Sequence, residues 1–371
     1  MVARSHKMKN KVIILEDSSF SDYGGGQNVT LQIMKYISKD TDIINIDFTK
    51  KSKYLDLAKN YVKKIYTLPF SLKRCADSSE ASTKLSLFSL LMYVPGALIN
   101  LIYLFFIVLS NKNTKITCYS ATRHTHLYCC LLRLLPGIKT IAHVHSHEPQ
   151  NTIKYKINNI LLSLFNRVIF VSHFQKSKYK NINAYVLYNP ITNKDKIISN
   201  FDIYTNDPIQ IAFVGKLLQW KGIYVFVDAT QKLSHLYESK SIIFSVFGDG
   251  PILSSLREKH LNVPIVFHGY QDTDHIFKNV DVIVAPSIDS ESCPMVILES
   301  ISNNKLFITS DLGGQKELAT IFGGIIVKNN CSQSLATCIE DVCSMKNYSY
   351  KNIQRLNDIN DYIKTIKKIL Y

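Results

Sequence analysis

The sequence predicts an α/β protein with two doubly wound parallel-sheet domains. Short apolar runs of strand length alternate with helical patterns along the chain, which is typical of parallel sheets covered by helices. The 371 residues suffice for two cores, and 46% apolar with 20% charged residues is the composition of a folded globular protein. A polar stretch close to Pro190 and Pro208 interrupts the alternation and indicates a linker.

This pattern divides the chain into four regions. We expect a first domain over 1–190, a linker over 191–208, a second domain over 209–349 and a C-terminal helix over 350–371 that packs back on the first domain. The last region is Lys-rich and its isoleucines recur near helical spacing. The runs predicted as strands are Val12–Leu15, Ile43–Ile46, Lys115–Tyr119, Thr140–His145, Val168–Val171, Tyr185–Leu187, Ile209–Val214, Ile242–Phe247, Ile265–His268, Val280–Ala285, Leu306–Thr309 and Gly324–Val327.

Charge and cysteine usage restrict the partners and the compartment. The formal net charge of +15 favours an anionic partner, namely nucleotide phosphates, an acidic membrane face or nucleic acid. The lysines are scattered and no nucleic-acid motif is present, so nucleic acid is not expected. None of the eight cysteines forms Cys-x-x-Cys, which predicts free thiols in a reducing compartment. The first residues do not resemble a signal peptide.

One apolar segment, Leu85–Asn111, contains no charged residue and is long enough to span a bilayer. Pro95 and Gly96 interrupt it, so we predict two shorter helices split at Pro95. Three alternatives remain open: core helices of an α/β domain, a surface that lies at a membrane interface, and a true membrane span. Lysines on both flanks suit anionic headgroups.

The most informative stretch runs from Pro286 to Glu299, directly after the predicted strand Val280–Ala285. Glu291 would lie in the loop at the carboxyl end of this strand, and Glu299 inside the helix that continues from Met295. Because ligands of open α/β sheets bind in the crevice at the carboxyl ends of the strands, we expect both carboxylates to face one crevice. Two carboxylates that face polyol hydroxyls without a metal partner suggest a sugar and a ribose.

A second loop leaves a predicted strand and enters a helix at about Ile223. Gly215 and Gly222 permit close backbone approach, and the N-terminus of a helix favours anions. Lys216 and Lys221 add two cations at the same place, which suits a diphosphate. The alternative is a solvated loop with two ordinary lysines.

A glycine-rich loop and a histidine run are the other candidate sites. Gly24, Gly25 and Gly26 follow the first strand and could wrap a phosphate or permit a tight turn, but neither the dinucleotide nor the P-loop pattern is present. His143, His145 and His147 alternate and would point the same way in a strand. Glu148 is the one further candidate metal ligand at a recognisable spacing, so a ligand-binding histidine is favoured over zinc.

In this order, the motifs resemble the retaining glycosyltransferases of family 4, of the bacterial surface-polysaccharide type. That resemblance implies the GT-B fold, in which two Rossmann-like doubly wound domains face a central cleft. It is strong over 209–327 and fainter in the first half. Its carriers are Val214-Gly-Lys-Leu with Lys221-Gly222, Phe247-Gly-Asp-Gly-Pro251, Phe267-His-Gly269, Val280–Ser287, Glu291 with Glu299, and Asp311-Leu-Gly-Gly-Gln-Lys-Glu317, then Gly24–Gln27, His145, Val171–Phe174 and Tyr188–Pro190.

The resemblance implies a role for each motif residue. Glu299 would bind the ribose hydroxyls, and Glu291 with the backbone after it would hold the hydroxyls of the donor sugar. Lys216 and Lys221 would neutralise the diphosphate. His145 would contact the donor sugar near its anomeric carbon, so His145 and Glu291 are the catalytic assignments. The implied donor-binding residues are Gly25, Gly26, Lys216, Lys221, Glu291, Ser292, Cys293, Met295, Val296 and Glu299.

Two departures from the family pattern leave the donor sugar open. Lys216 stands where arginine is usual, which loses a bidentate fork but keeps the charge. Ser292-Cys293-Pro294 stands where glycine is common, and the proline removes one backbone N–H that could meet the sugar.

The implied function is transfer of a hexosyl or related group, with retention, from a nucleotide-diphosphate sugar to a lipid-linked or polysaccharide acceptor in cell-surface glycan biosynthesis. We expect no metal and no cofactor besides the donor substrate, and a cytoplasmic protein held peripherally on the inner face of the plasma membrane. Two alternatives remain: another GT-B enzyme, such as a nucleotide-sugar epimerase or a phosphorylase, and a non-catalytic sugar- or nucleotide-binding module.

Overall fold

The structure is a computed structural model, and it describes residues 10–19, 24–70, 87–111, 114–146, 150, 152–192, 194–204, 207–238, 242–259 and 265–371. The chain divides into two compact units. The first contains Met1–Val171, Lys176–Leu187 and Asn360–Tyr371, and the second contains Ser172–Gln175 and Tyr188–Ile359.

The first unit is built on a sheet of seven parallel strands in the order β3-β2-β1-β4-β5-β6-β7. Its central strands are buried on both faces, which explains why they read as continuous apolar runs in the sequence. The strand order reverses between β1 and β4, and in open α/β sheets a crevice forms at such a point. The strands are β1 (Lys11–Leu15), β2 (Asp42–Asp47), β3 (Lys64–Thr67), β4 (Ile116–Ser120), β5 (Ile138–Val144), β6 (Arg167–Phe170) and β7 (Ala184–Val186).

Helices connect these parallel strands. They are α1 (Gly25–Ile37), α2 (Lys53–Ala58), α3 (Leu87–Ser110), α4 (His126–Leu131), α5 (Ile153–Ser163) and α6 (His173–Ser177), of which α6 continues from the second unit into the first. Side chains of α3, α4 and α5 share one apolar core with β1, β2, β4, β5 and β6. These three helices therefore cover the same face of the sheet.

The prediction of two helices split at Pro95 is wrong, because α3 is a single helix with Pro95 inside it. Proline removes one helical hydrogen bond and presses on the preceding turn. Tertiary contacts hold the helix after the proline: Leu104 is fully buried, and the Asn100 side chain accepts from the backbone N–H of Phe70 at 3.0 Å and donates to its carbonyl at 2.9 Å. Of the residues that the structure describes, none belongs to a helix with both the length and the apolar character to cross a membrane.

The second unit has a sheet of six parallel strands in the order β11-β10-β9-β12-β13-β14, so its strand order reverses between β9 and β12. These strands are β9 (Ile209–Val214), β10 (Ile242–Phe247), β11 (Ile265–Gly269), β12 (Val282–Ala285), β13 (Leu306–Ser310) and β14 (Ile325–Val327). The helices are α7 (Ile223–Lys232), α8 (Ser234–Glu238), α9 (Leu253–Lys259), α10 (Thr273–Asn279), α11 (Met295–Ser302), α12 (Gly313–Phe322) and α13 (Ser332–Cys343).

The segment that we expected as a linker, 191–208, carries a short strand, β8 (Asn200–Asp202). This strand pairs in antiparallel fashion with β15 (Asn347–Ser349), and Ile191 forms a bridge with Asp358. The sequence analysis missed both strands because each is only three residues long and mostly polar.

The C-terminal helix, α14 (Ile359–Leu370), is shorter than the predicted 350–371. Asn352 has a left-handed backbone with φ of 52°, which an α-helix does not accommodate, and a single 3₁₀ turn follows it. Most of α14 belongs to the first unit, where the carbonyl of Leu370 accepts a hydrogen bond from the Thr117 hydroxyl at 2.9 Å.

Candidate functional site

The carboxyl ends of β9 and β12 form the centre of the candidate site in the second unit. The two strands are neighbours and parallel, so the loops that leave them lie at one edge of the sheet. At Gly222 the backbone is left-handed, with φ of 76°, and an added Cβ would lie 1.9 Å from the carbonyl oxygen of Pro286. The carbonyl of Trp220 also accepts a hydrogen bond from the N–H of Ile288 at 2.9 Å. Only glycine permits this approach of the two loops.

Lys221 and Glu291, one from each loop, form an ion pair with 2.5 Å between Nζ and Oε2. Both side chains are largely buried, at 22% and 13% exposure. The other Glu291 oxygen, Oε1, accepts a hydrogen bond from the Ser287 hydroxyl, and the Lys221 ammonium lies 4.5 Å from the centre of the Trp220 ring. Both carboxylate oxygens are therefore held by protein groups, which fixes the orientation of the carboxylate.

Gln315 fixes the backbone of the loop that carries Glu291. Its amide oxygen accepts from the N–H of Glu291 at 2.8 Å, and its amide nitrogen donates to the carbonyl of Asp289 at 3.0 Å. The N–H of Gly314 donates to the carbonyl of Glu291 at 2.7 Å. Gln315 is 1% exposed, so these bonds are shielded from water. Gln315 lies inside a motif that is visible in the sequence, but its role was not predicted, since only the folded loop shows what it contacts.

Ser292 and Cys293 point into the protein. The Ser292 hydroxyl accepts a hydrogen bond from the side-chain amide of Gln175 at 3.2 Å. The backbone carbonyl of Cys293 accepts one from the side-chain amide of Asn189 at 3.3 Å. Burial raises the pKa of the Cys293 thiol to about 12, so the thiol is protonated and unreactive. These two residues can therefore meet a ligand through their backbone rather than their side chains.

Helix α11 supplies the next group of predicted residues. It begins at Met295 with Pro294 as its N-cap, so Met295 and Val296 contribute first-turn N–H groups that have no partner within the helix. Glu299 lies one turn further along and is partly buried. Burial raises the pKa of its carboxyl to about 7, so its charge state changes near neutral pH.

Lys216 has an exposed side chain in the loop after β9. The next residue, Leu217, donates its N–H to the carbonyl of Asp249 at 2.9 Å. An added Cβ at Gly250 would lie 2.3 Å from the carbonyl oxygen of Leu217. The loop of Lys216 thus packs on the glycine-rich turn after β10. The structure thus brings Lys221 into direct contact with Glu291. Lys216 and Glu299 lie on adjoining segments, and among the described contacts neither is bonded to Lys221 or Glu291.

Glu317, the last residue of the motif in α12, holds two separate segments of the second unit. Its carboxylate accepts hydrogen bonds from the backbone N–H groups of His173 and Phe174 and from the Tyr188 hydroxyl. Burial and the hydrogen bond to Glu317 together raise the pKa of the Tyr188 hydroxyl. Glu317 therefore fixes the two places where the chain passes into the second unit.

The first unit contains its own pocket, about 280 Å³ in volume, at the carboxyl ends of β1, β4 and β5. Gly26 and His145 both line it, and an added Cβ at Gly26 would lie 3.1 Å from Cγ of His145. Gly25 begins α1 next to them, with an exposed backbone. The structure thus brings together the glycine loop and the one histidine that the sequence analysis selected.

Asp17 and His124 also line this pocket, with 3.0 Å between Oδ2 and Nδ1. Neither residue was predicted from the sequence. The pattern that could have found them is a polar residue within a few positions of the carboxyl end of a buried strand, since Asp17 follows β1 and His124 follows β4. Arg123 and Ser146 line the same pocket, so it offers acceptors and donors suited to hydroxyl groups.

Burial controls the charge of the two described histidines of the run. His143 is fully buried and its Nδ1 is hydrogen-bonded to the Tyr119 hydroxyl. The ring centres of His143 and His145 are 4.1 Å apart. Burial lowers the pKa of His145 to about 4, so its imidazole is neutral at physiological pH.

His147 and Glu148 lie outside the described residues. Among the described residues, no group of three His, Cys, Asp or Glu side chains is placed to hold a metal ion.

A family model matches a large part of the second unit. Residues 208–345 match the family model described as "Glycosyl transferases group 1", and this range contains Lys216, Lys221, Glu291 and Glu299. An uncharacterised 42.6 kDa protein in the cps region of Klebsiella pneumoniae is 28% identical over 153 residues, which are 41% of this chain and 39% of that protein. An uncharacterised glycosyltransferase of Methanocaldococcus jannaschii is 22% identical over 62% of this chain and 69% of its own length.

Solved structures show the same fold over nearly the whole chain. Anabaena HepE in complex with UDP superposes with a TM-score of 0.72 at 17% identity, covering 97% of this chain and 99% of HepE. Its complex with UDP-glucose gives a TM-score of 0.70 at 16% identity with the same coverage. The fold is therefore GT-B. The fold and the matched domain together support a glycosyltransferase of the GT-B type. The first relative is matched over less than half of its own length.

Proposed function

We propose that this chain is a metal-independent, retaining glycosyltransferase of family 4. It moves a hexosyl or related group from a nucleotide-diphosphate sugar to a lipid-linked or polysaccharide acceptor in cell-surface glycan biosynthesis. The observation that carries the proposal is the Lys221–Glu291 ion pair at the carboxyl edge of the second sheet. It places a fixed cation and a fixed carboxylate at the point where α/β folds bind ligands.

The donor would lie along the loops after β9 and β12. Lys216 and Lys221 neutralise its diphosphate, and Glu291 with the first-turn N–H groups of α11 binds the sugar hydroxyls. Glu299 accepts hydrogen bonds from the ribose hydroxyls. A pair of hydroxyl donors would favour its carboxylate form and lower a pKa that burial alone has raised.

Charge stabilisation accounts for the chemistry. Breaking the bond between sugar and phosphate leaves an oxocarbenium-like sugar and an anionic diphosphate, which the two lysines stabilise. The leaving phosphate can take the acceptor's proton on the face that it departs from, which gives retention. The contacts with Lys221 and Ser287 draw electron density from both oxygens of Glu291, so we assign it to binding of hydroxyl groups and not to nucleophilic attack.

His145 and the glycine loop would supply contacts from the first unit. A pKa of about 4 leaves the imidazole neutral, so His145 acts as a hydrogen-bonding group near the anomeric carbon rather than as a cation. The pocket that Gly26 and His145 line offers further groups for acceptor hydroxyls. A lipid-linked acceptor implies a protein that works peripherally on the inner face of the plasma membrane.

A panel of nucleotide sugars tests the proposal. A bound donor should raise the unfolding temperature by mass action and change the fluorescence of Trp220, the only tryptophan, which lies beside Lys221. Glu299→Ala should weaken nucleotide binding strongly, while Glu340→Ala, on the exposed side of α13, should not. Unchanged nucleotide affinity in Glu299→Ala would refute the role of Glu299.

Product analysis separates the transferase from the alternatives. Only a transferase releases nucleotide diphosphate while it lengthens a glycan acceptor. An epimerase would yield the epimeric nucleotide sugar without an acceptor, a phosphorylase would require inorganic phosphate, and a binding module would bind the donor without turnover. Retention is read from the anomeric configuration of the product by NMR.

A further inference from the structure

The outer sides of three helices lie over one face of the sheet in the first unit. Leu104 of α3, Cys129 of α4 and Leu162 of α5 are fully buried in the same core, on one face of the sheet. The opposite sides of these helices therefore all point away from that face. We call the solvent side of α3, α4 and α5, with the residues that directly follow them, the α3–α5 face.

The α3–α5 face is apolar where the outer side of a helix is normally polar. On α5, Ile153, Ile157 and Ile160 recur at helical spacing and are 76%, 53% and 61% exposed. On α3, Ile102 and Phe106 lie one turn apart and are 69% and 67% exposed. The other exposed apolar side chains of the face are Val94, Leu98, Ile99, Leu109, Leu127, Leu134 and Leu164. An apolar patch that extends over three helices marks an interaction surface.

The charges of this face have one sign. Helices α3 and α4 contain no Lys, Arg, Asp or Glu, and α5 contains only Lys154 and Lys156. Lys154 and Lys156 are exposed on α5 between the isoleucines. Arg133 is exposed after α4 and donates to the carbonyl of Leu164 at 2.6 Å, which holds its guanidinium at the end of α5. Apolar side chains flanked by cations are the pattern of a helix that lies in a membrane interface.

We infer that the α3–α5 face binds the surface of an anionic phospholipid bilayer. The isoleucines enter the boundary between headgroups and acyl chains, and the cations contact the anionic headgroups. A second copy of the chain is a poorer occupant, because a two-fold contact would bring the same cations against each other. The inference rests on the membrane location within the proposed function and not on the transfer reaction.

Vesicle flotation at low ionic strength tests this surface. Wild-type protein should float with vesicles of phosphatidylcholine mixed with phosphatidylglycerol, and much less with phosphatidylcholine alone. Each lysine should contribute about fivefold to the partition coefficient. Lys154→Gln together with Lys156→Gln should therefore lower it by roughly 30-fold. Ile153→Ser with Ile157→Ser and Ile160→Ser should abolish flotation.

Matched variants in the second unit serve as controls. Lys232→Gln with Lys278→Gln removes two exposed lysines, and Val266→Ser with Ile326→Ser removes two exposed apolar side chains. Both controls should float like the wild type. Thermal unfolding followed by circular dichroism checks that each variant is folded, because the membrane substitutions lie in the first unit and Trp220 lies in the second. Nucleotide binding followed by Trp220 fluorescence tests the donor site independently of the membrane.

Three outcomes would overturn the inference. The first is a wild-type protein that stays with neither vesicle at low salt while it still binds nucleotide. The second is isoleucine variants that float like the wild type. The third is a stable dimer in light scattering that the isoleucine substitutions dissociate, which would identify a second copy as the occupant.

Discussion

The Lys221 ammonium lies 2.5 Å from the Glu291 carboxylate, and this contact joins the loops that leave two neighbouring strands. Neither residue is near the other in sequence, and each was predicted to bind a different part of one donor. Their contact places the proposed diphosphate cation next to the proposed sugar-binding carboxylate. Changes at one residue should therefore affect the other.

A double-mutant cycle should detect this coupling. We expect Lys221→Met and Glu291→Gln to show a coupling free energy of about 1 kcal/mol or more in urea unfolding, because the pair is largely shielded from solvent. The exposed pair His235 and Glu340, 3.6 Å apart in the same unit, is the control and should couple by less than about 0.5 kcal/mol. Equal coupling in both cycles would show that the buried pair has no special strength.

Glu299 should make the stability of the second unit depend on pH. Its folded pKa of about 7 lies above the ordinary value of 4.5, so the folded state binds more protons and stability falls as pH rises between these values. The expected contribution is up to about 3 kcal/mol. Glu299→Gln should flatten that part of the profile relative to wild type, measured by urea unfolding with Trp220 fluorescence. Asp47, whose pKa is raised to about 6, adds a pH dependence of the same sign to the stability of both the wild type and Glu299→Gln.

Donor binding should show the opposite trend with pH. If ribose hydroxyls bind the ionised form of Glu299, donor affinity should rise roughly tenfold between about pH 6 and 8 as that carboxyl ionises. Glu299→Gln should bind more weakly and lose this dependence. Titrations of Trp220 fluorescence across the pH range measure it, and an affinity that falls with pH in the wild type would contradict the assignment.

Gln315 should act as a positioning residue for the loop of Glu291. Gln315→Leu leaves the N–H of Glu291 and the carbonyl of Asp289 without their partner, so the loop should shift and donor affinity should fall about tenfold or more. The loss should be larger for the nucleotide sugar than for the bare nucleotide diphosphate. Gln271→Leu, which removes a surface hydrogen bond to His268, is the control. Equal losses for the two ligands would assign Gln315 a purely structural role.

Gly222 should be intolerant of a side chain because of the loop contact and not only because of its backbone angle. Gly222 and Gly269 have similar left-handed angles, φ of 76° and 70°, but only an added Cβ at Gly222 would meet another atom, the Pro286 carbonyl oxygen. Gly269→Ala should cost about 1 kcal/mol of stability and Gly222→Ala at least twice that, with lost donor binding. Similar thermal shifts for both variants would show that the two loops separate easily.

His145 should not produce a titration in the activity profile near neutral pH. Burial lowers its pKa to about 4, so the imidazole stays neutral across that range. His145→Gln should lower turnover while it preserves the shape of the pH–rate profile above about pH 5, measured from initial rates of nucleotide release. Loss of an ionisation near pH 6 to 7 in the variant would show that His145 is charged when it acts.

The sequence predicted the strands that are long and apolar and missed those that are short and polar. Val12–Leu15 and the middle of Ile209–Val214 are buried on both faces and strongly apolar, so their composition alone indicates strands. Asn200–Asp202 is stabilised only by its pairing with a segment far along the chain. Pro95 was misjudged for a similar reason: packing of the residues after it maintains a helix that local preference would end.

The sequence by itself determined which residue types follow the carboxyl ends of the strands, including Lys216, Lys221 and Glu291, because strand length and glycine spacing are local properties. Only the tertiary structure decided that Lys221 pairs with Glu291, that Gln315 holds their loop, and that the outer sides of three helices form one apolar, cationic face. Those relationships depend on strand order and on the close approach of loops, which link residues far apart in the chain and leave no local pattern in the sequence.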